Sequence, residues 1–518
     1  MSNKTFSKQL PLNLITNIAV FILSTIIGLF MTPFLIKYIG IEGFGVIRLA
    51  LAIPVYVGLS MLLISGAVSR FLTIDLQRND LKAANKTFNT AFFGMFGISL
   101  LLLPIVYFFS FNINIFFSIP TLFKEDAVFL FLGILLSSLV TVFSAMFMIP
   151  TFANNRLDIN NFVRIGTLTL QTVLMIALVY WFTFPLTSVG LAHLVAAILG
   201  LIISLKIWKR FSPSISIDVR LFSLSKFKEL AFMGSWLIID QVGTILFLYV
   251  DLLVVNYVFG ASATGEYSIP LQWQTMLRSL ASVLAGVIAP MILISYARGE
   301  FDKLRTLSYS SVKFLGLALA IPIGLICGFA PVLLTLWVGE EFLHLVPLLW
   351  LMLIPMGINL ALVALFPINT AFNKIKIPAY VTLFTGAMNV LLALLLTMQF
   401  DMGLYGVALA GAISFTTRNL LFTVLYTAKV AGSNPLFYYK NLFFGTVAML
   451  AIFALSYYIQ SYILIESWSG LLVSALFILV LSAGMIYKFM FNSSEKNLVD
   501  EMLLTRVKKM MNRKEENL

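Results

Sequence analysis

Two carboxylates, Asp240 and Asp251, lie inside the apolar stretch 230–259, which contains no lysine or arginine. On an unbroken helix, with roughly 100° per residue, the second carboxylate returns to within about 20° of the first. A charge at the centre of a bilayer costs about 2.5–3.5 kcal/mol, so this stripe is predicted to face a protein-lined interior. We predict that both carboxylates take part in ion coupling. The alternatives are an ion pair with Arg278 for Asp251, and a hydrogen bond at a helix kink or to a neighbouring helix for Asp240.

Three arginines, Arg48, Arg278 and Arg418, also lie within apolar stretches. A guanidinium stays protonated and binds phosphate through two parallel hydrogen bonds, so intramembrane arginines are typical of an anion site. At 1.5 Å per residue, Arg278 and Arg418 lie about 18 and 21 Å from the same membrane face, which places them at similar depth. We predict that all three contact an anionic substrate. Arg48 lies near the end of its span, and the alternative is that it anchors the helix at the membrane surface.

Uncharged polar residues extend these stripes on two helices. Asn13 and Asn17 are one helical turn apart in the first apolar stretch, and Gln274 lies one turn before Arg278. We predict that these three side chains line a polar cavity. For the asparagines, hydrogen bonding between helices is the alternative.

The sequence lacks the residue patterns of an enzyme active site or a metal centre. Its two histidines and single cysteine are far apart and do not have the spacing of a metal site. No Walker A motif, glycine-rich phosphate loop or catalytic triad pattern occurs. We therefore predict no catalytic residue, no metal and no cofactor, and transport without nucleotide hydrolysis. His193 is predicted to be a packing histidine and Cys327 a small buried residue.

The composition is that of a polytopic membrane protein. Of the 518 residues, 60% are hydrophobic and 11% are charged, and the mean hydropathy is +1.00. Soluble proteins average about 45–50% apolar and about 25% charged residues. We predict an all-α fold with fourteen transmembrane helices, at residues 12–36, 46–68, 88–110, 127–149, 165–184, 188–208, 230–259, 266–294, 314–337, 345–366, 379–400, 404–428, 441–463 and 468–490.

The basic residues predict the orientation of these helices. Nearly all of the 34 lysines and arginines fall in alternate loops and in the two termini, and only Lys37 and Lys124 fall in the opposite loops. By the positive-inside rule, both termini are cytoplasmic. The net charge of +12 is therefore interpreted as a signal of topology and not of nucleic-acid binding. The charged tail 492–518 is predicted to form an amphipathic helix on the inner membrane surface.

An internal repeat relates the two halves of the chain. Gly40 and Gly45 correspond to Gly260 and Gly265, and at the same spacing of 220 residues RNDL at 78–81 matches RGEF at 298–301. VGLA at 189–192 also matches YGVA at 405–408. Both halves begin on the same side, so their axis of symmetry is predicted along the membrane normal. The predicted divisions are a first six-helix lobe, a linker, a second six-helix lobe, two further helices and a tail, at residues 1–208, 209–229, 230–430, 431–491 and 492–518.

Several of these segments resemble those of a known family. The segment KYIGIEGFGVI at 37–47 resembles the turn after the first helix of Wzx-type polysaccharide and O-antigen flippases of the multidrug/oligosaccharidyl-lipid/polysaccharide (MOP) exporter superfamily. LWVGEEF at 336–342, NKIKIP at 373–378, Asn389 and GLYGVALA at 403–410 are similar as well. The arginine-rich first helix of the lipid II flippases is absent. The family shares no short catalytic signature, so no residue role is carried over from it.

The resemblance implies two six-helix lobes around a central cavity, with two additional C-terminal helices. It also implies alternating-access transfer of a polyprenyl-pyrophosphate-linked oligosaccharide from the inner to the outer leaflet of a bacterial cell membrane, for O-antigen, capsule or exopolysaccharide synthesis. The implied partners are the lipid-linked substrate, membrane lipids, a polysaccharide polymerase and glycosyltransferases.

Two other functions remain open from the sequence. The first is a multidrug cation antiporter of the same superfamily, although fourteen spans and intramembrane arginines favour an anionic substrate. The second is a membrane glycosyltransferase or polymerase that acts on lipid-linked sugars. Such enzymes usually need a large outer loop or a catalytic carboxylate near the membrane surface, and the short outer loops here disfavour this reading.

Overall fold

A computed structural model describes residues 3–59, 80–153 and 155–491, together with residues 68, 71, 72, 74, 75, 78, 493 and 496. Within these residues all regular structure is helical, and twelve helical segments are long and apolar enough to span a membrane. Two of the twelve, Pro11–Leu59 and Gln241–Ala297, are 49 and 57 residues long and contain a break, so each accounts for two predicted spans. The predicted all-α polytopic class is confirmed, with a number of spans close to fourteen.

The helices of the first half precede residue 212. They are α1 (Asn3–Ala52), α2 (Leu81–Phe111), α3 (Ile113–Phe116), α4 (Lys124–Phe147), α5 (Ile149–Ala153), α6 (Leu157–Trp181) and α7 (Pro185–Phe211).

The helices of the second half follow residue 223, and several of them are short. They are α8 (Leu224–Leu248), α9 (Val250–Ala297), α10 (Phe301–Gly328), α11 (Ala330–Trp337), α12 (Val346–Leu353), α13 (Met356–Ala361), α14 (Phe366–Ala371), α15 (Lys376–Met398), α16 (Gly403–Thr417), α17 (Val424–Ala431), α18 (Pro435–Tyr462) and α19 (Trp468–Met485). A π-helical turn, Arg418–Thr423, joins α16 to α17.

Glycines of the predicted repeat break the two longest helices. Gly40 in α1 and Gly260 in α9 have φ of 80° and 84°, a left-handed conformation in which glycine carries no Cβ penalty. Each break ends one membrane crossing and begins the next. We call the end of the bundle at these two turns the glycine face. The opposite end, with the loops that contain Arg156, Arg298 and Lys374, is called the basic face.

One prediction about an individual segment is wrong. The stretch 230–259 is not one continuous helix, because Tyr249 (φ −125°, ψ −17°) separates α8 from α9. The angular relation between Asp240 and Asp251 that an unbroken helix would impose therefore does not hold.

Three groups of residues fall outside the description. The side chain of Asp240 is one, although its backbone belongs to α8. Residues 60–67 of the predicted second span are another. The predicted tail helix is the third, apart from residues 493 and 496.

Helix packing determines where polar side chains can meet. In the first half α4 packs along α7, and α6 lies against both α7 and α1. In the second half α10 packs along α18, α8 along α15, and α15 along α16. The two halves meet chiefly through α1 and α9. The largest buried core joins residues of these two helices with α4, α10 and α11.

Candidate functional site

Asp251 lies in a polar pocket within the second half of the chain. The hydroxyl of Tyr267 donates a hydrogen bond to Asp251 Oδ2 at 3.2 Å, and Asn389 Nδ2 donates one to Asp251 Oδ1 at 3.3 Å. The pocket has a volume of about 30 Å³ and is also lined by Gln274 and Arg278. This volume is enough for one or two water molecules. The structure thus brings together three of the residues predicted for the site, and adds Tyr267 and Asn389.

Arg278 shares this pocket but makes no salt bridge within 4.0 Å to Asp251, although both side chains are described. Its guanidinium lies instead over the ring of Phe415, with the Cζ atom 4.9 Å from the ring centroid. A desolvated cation–π contact of this kind is worth about 2 kcal/mol. The ring therefore positions the guanidinium without neutralising its charge.

Arg418 also lies over an aromatic ring. It lies at the first residue of the π-helical turn, its Nη2 donates to Thr382 Oγ1 at 2.6 Å, and its Cζ is 5.7 Å from the centroid of the Phe247 ring. The rings of Phe247 and Phe415 contact each other, with centroids 5.6 Å apart. Arg278 and Arg418 therefore each lie over one ring of a single aromatic pair. We call these four side chains the arginine–aromatic array.

Arg48 lies apart from this array, where α1 meets α9. Its Nη1 donates to Gln272 Oε1 at 3.2 Å, and the amide of Gln272 occupies the space that a Cβ on Gly28 would take. The Nε of Arg48 is buried and makes no hydrogen bond within the described residues. This half-buried position between two helices differs from that of a surface anchor. Gln272 was not predicted, although it is a polar residue within a span just as Gln274 is.

The glycine face is closed by close backbone contacts between the two halves. A Cβ on Gly45 would overlap the carbonyl oxygen of Ala261 and lie 2.8 Å from the backbone nitrogen of Gly265. A Cβ on Gly265 would in turn overlap the carbonyl oxygen of Ile41. Only glycine permits this approach from both sides. We call this contact the glycine seam.

Hydrogen bonds reinforce the closure around the glycine seam. Asn256 Oδ1 accepts from the backbone nitrogen of Ser118 at 3.0 Å, and the Nδ2 of the same asparagine donates to Thr264 Oγ1 at 3.2 Å. Trp337 Nε1 donates to the carbonyl oxygen of Leu29 at 2.7 Å. No pattern in the sequence indicates these contacts. Two of them join residues more than a hundred positions apart, and the bond from Asn256 to Thr264 depends on the turn at Gly260.

The two predicted asparagines of the first helix are engaged in hydrogen bonds between helices. Asn13 is buried, its Nδ2 donates to the carbonyl oxygen of Asn155 at 3.2 Å, and its Oδ1 accepts from the backbone nitrogen of Asp158 at 3.0 Å. Asn17 Oδ1 accepts from Asn161 Nδ2 at 2.9 Å. These contacts attach α1 to the start of α6 and correspond to the alternative given for both residues.

A second, much larger cavity lies among the helices of the first half. Its volume is about 1080 Å³, and it is lined by Leu51, Pro54 and Gly58 and by parts of α4, α5, α6 and α7. His193, which faces this cavity, has both ring nitrogens engaged: Nδ1 lies 2.8 Å from the carbonyl oxygen of Val189, and Nε2 lies 2.8 Å from Gln171 Nε2. A carbonyl oxygen can only accept, so Nδ1 carries the hydrogen and Nε2 accepts from the glutamine amide.

Sequence comparison places the chain among polysaccharide biosynthesis proteins. The model of the family described as polysaccharide biosynthesis protein matches residues 12–294, which is more than half of the chain. The chain belongs to this family. It is 32% identical over 494 residues to the uncharacterized membrane protein EpsK of Bacillus subtilis (strain 168), covering 95% of this chain and 97% of that protein. A putative O-antigen transporter of Shigella flexneri is 23% identical over 420 residues, covering 80% and 97% of the two chains.

Solved structures show the fold of this polysaccharide biosynthesis family member. The lipid II flippase MurJ in an inward closed conformation aligns with a TM-score of 0.70 at 17% identity, covering 92% of this chain and 100% of that chain. An inward-facing multidrug resistance MATE family transporter of the MOP superfamily aligns with a TM-score of 0.58 at 15% identity, covering 85% and 98%. The predicted resemblance is confirmed: the chain is a multi-pass membrane protein with the fold of the MOP superfamily.

Proposed function

We propose that this protein is a flippase that moves a polyprenyl-pyrophosphate-linked oligosaccharide from the inner to the outer leaflet of the bacterial cell membrane. The observation that carries the proposal is the arginine–aromatic array inside the membrane. It offers two guanidinium groups that are positioned by rings, in a chain of the polysaccharide biosynthesis family. Guanidinium groups suit the pyrophosphate. The Shigella relative, described as a putative O-antigen transporter, supports the same class of cargo.

Arg48 is the third proposed contact for the anion. Its buried Nε has no hydrogen-bond partner among the described residues, and a buried donor without an acceptor is costly. A phosphate oxygen supplies the missing acceptor. Arg48 and Gln272 lie on helices of opposite halves, so an anion that binds Arg48 also competes with the contact that joins those halves.

The orientation follows from the basic loops. We infer that the basic face and both termini are cytoplasmic, and that the glycine seam closes the outer side of the cavity. The substrate is then loaded from the inner leaflet, and release to the outer leaflet requires the glycine seam to open. The predicted lobes 1–208 and 230–430 would move against each other about this seam, joined by the linker 209–229, while residues 431–491 remain packed on the second lobe.

Ion coupling is proposed to act through Asp251, with Asp240 as the second candidate. Asp251 shares a water-sized pocket with Gln274 and Arg278. A carboxylate inside a membrane marks an ion or proton pathway by default. Neither a catalytic residue nor a cofactor forms part of the proposal. The polymerase and glycosyltransferases that would use and supply the lipid-linked saccharide remain proposed partners.

A multidrug cation antiporter is the second candidate, favoured by the Asp251 pocket and by the fold shared with MATE transporters. It would require a cation to approach Arg278 in the same pocket, which is electrostatically unfavourable.

Reconstitution in vesicles separates the two functions. The purified protein should move polyprenyl-pyrophosphate oligosaccharide, extracted from membranes that contain it, to the far leaflet, where an added glycosidase can act on it. It should not expel a fluorescent organic cation. Transport of the cation without movement of the lipid-linked saccharide would establish the antiporter instead.

A further inference from the structure

The large cavity of the first half has a lining unlike that of the Asp251 pocket. Apolar residues form much of its wall, and its described lining residues include no aspartate or glutamate. Arg164 and Asn160 lie on α6 near the basic face, and Gln171 and His193 lie deeper. Its volume of about 1080 Å³ lies just above the usual range of about 300–1,000 Å³ for small-molecule sites. The cavity therefore suits a large ligand that is not a cation.

Hydroxyl groups on the wall are arranged as hydrogen-bond acceptors. Ser137, Ser138, Thr141, Thr167 and Ser204 each donate to a backbone carbonyl three or four residues earlier, at 2.6–3.0 Å. A hydroxyl has one hydrogen and two lone pairs, so each oxygen keeps the capacity to accept from a ligand. A ligand that matches this wall must itself bring many O–H donors.

Amide and guanidinium groups complete the polar surface. Gln171 Nε2 is held by His193, so its Oε1 is the atom left to accept from a ligand. Asn160 Oδ1 accepts from Thr151 Oγ1 at 2.9 Å, which leaves Nδ2 as a donor. A saccharide combines many hydroxyl donors with apolar C–H faces, and so matches both the hydroxyl acceptors and the apolar parts of the wall.

We propose that this cavity receives the saccharide portion of the lipid-linked substrate while the pyrophosphate contacts the intramembrane arginines. The proposal rests on the function proposed above and adds a saccharide site to it. Leu51, which lines the cavity, is three residues from Arg48 on the same helix, a rise of about 4.5 Å. A pyrophosphate at Arg48 would therefore lie next to the wall of the cavity at Leu51. The cavity would select the substrate by its saccharide, whereas the arginines would bind the pyrophosphate, which is common to all lipid-linked saccharides of this type.

The first test fills the cavity. Ala197 lines it on α7, and the next residue, Ile198, is exposed on the outside of the same helix. Ala197→Phe should lower transport of the extracted lipid-linked oligosaccharide at least tenfold at equal membrane abundance. Ile198→Phe is the matched control and should transport normally. Normal transport by a well-expressed Ala197→Phe protein would overturn the proposal.

The second test stays informative if Ala197→Phe fails to fold. In a Cys327→Ser background, Ser138→Cys places a single thiol on the cavity wall, and its reaction rate with N-ethylmaleimide is measured in vesicles. Two probes are compared: polyprenyl pyrophosphate alone and the same lipid carrying its oligosaccharide. The saccharide-bearing probe should slow the reaction at least tenfold and the bare lipid should leave it unchanged.

Equal slowing by both probes would show that the lipid chain or pyrophosphate occupies the cavity, and would overturn the saccharide site. An unchanged rate with both probes would overturn it as well. These failures are distinct from failure of the proposed function, because wild-type protein would still move the lipid-linked saccharide across vesicles.

Discussion

At the scale of single residues, the ring of Phe415 stabilises the guanidinium of Arg278 inside the membrane without a salt bridge to Asp251. An isolated guanidinium is costly there, yet a tight ion pair would cancel the charge that an anionic cargo needs. The contact of Arg278 with Phe415 stabilises that cation without adding a negative charge, and the ring of Phe247 makes a second cation–π contact with Arg418. Arg278 keeps a carboxylate, Asp251, as a pocket neighbour but not within salt-bridge distance.

Substitution of Arg418 should separate the role of charge from that of geometry. Arg418→Lys keeps the charge but loses the planar fork, and should be partly active. Arg418→Gln loses charge-assisted hydrogen bonds of about 1.5–3 kcal/mol, and its transport should fall about ten- to a hundredfold. The measurement is polysaccharide export normalised to membrane protein level. Normal export by a well-expressed Arg418→Gln protein would remove this residue from the substrate path.

Asp251→Asn should make transport independent of an ion gradient. Asparagine has nearly the same shape and can still bond to Tyr267 and Asn389, so the fold should be retained while the charge is lost. Transport is followed in vesicles with and without a proton or sodium gradient. Glu229→Gln, at an exposed carboxylate on the basic face, is the control.

Full gradient dependence in the Asp251→Asn protein would transfer the proposed coupling role to Asp240, for which Asp240→Asn is the same experiment. Gradient dependence in both variants would end the proposal that either carboxylate couples transport to an ion.

At the scale of helices, the glycine seam explains why the sequence repeat keeps its glycines at a fixed spacing. Gly40 and Gly260 turn the chain, and five residues later Gly45 and Gly265 allow the two turns to touch. Gly45 and Gly265 can approach each other only because Gly40 and Gly260 have reversed the chain five residues earlier. The seam is therefore a property of two matched turns and not of any one residue.

Gly265→Val should weaken the closed state of the glycine face. The new side chain would overlap the carbonyl oxygen of Ile41, so closure would require the two helices to separate. Gly286→Val on the same helix is the matched control, because a Cβ there meets nothing within 4 Å. In a Cys327→Ser background, a cysteine at Leu29, a partly buried residue eleven positions before the turn at Gly40, should become more reactive from the glycine face in the Gly265→Val protein alone. Equal reactivity in both variants would contradict a closing role for Gly265.

The sequence predicts these elements unevenly, for physical reasons. Long apolar runs and a 220-residue glycine spacing are local patterns, and the predicted helices and both turns follow from them. The kink at Tyr249 could not be predicted, because no proline or glycine lies at that position in the sequence. The bonds of Arg48 to Gln272 and of Asp251 to Asn389 join residues 224 and 138 positions apart, and depend on packing that no single-sequence pattern encodes.

At the scale of the whole molecule, charge asymmetry connects the structure to the direction of transport. The positive charge is concentrated at the basic face, whereas the glycine face has few basic residues. The structure is closed at the glycine face by the seam, by Asn256 and by Trp337. If the basic face is cytoplasmic, the closed side of the structure is the outer side, and the proposed flippase must open the glycine seam to release its cargo. If the orientation is reversed, the same structure loads from outside, and the flippase proposal fails.

Thiol labelling in intact cells tests this orientation directly. Cys327 is the only cysteine and is buried, and its backbone oxygen, which accepts from Trp350 Nε1, is kept in a Cys327→Ser background. Single cysteines are then placed at Thr121 or Glu466 on the glycine face and at Lys86 or Ser214 on the basic face, all exposed positions. An impermeant maleimide should label the first two in intact cells and the second two only after the membrane is permeabilised. The opposite pattern would reverse the side from which substrate is loaded, and would leave the glycine seam as the closure of a cytoplasmic entrance.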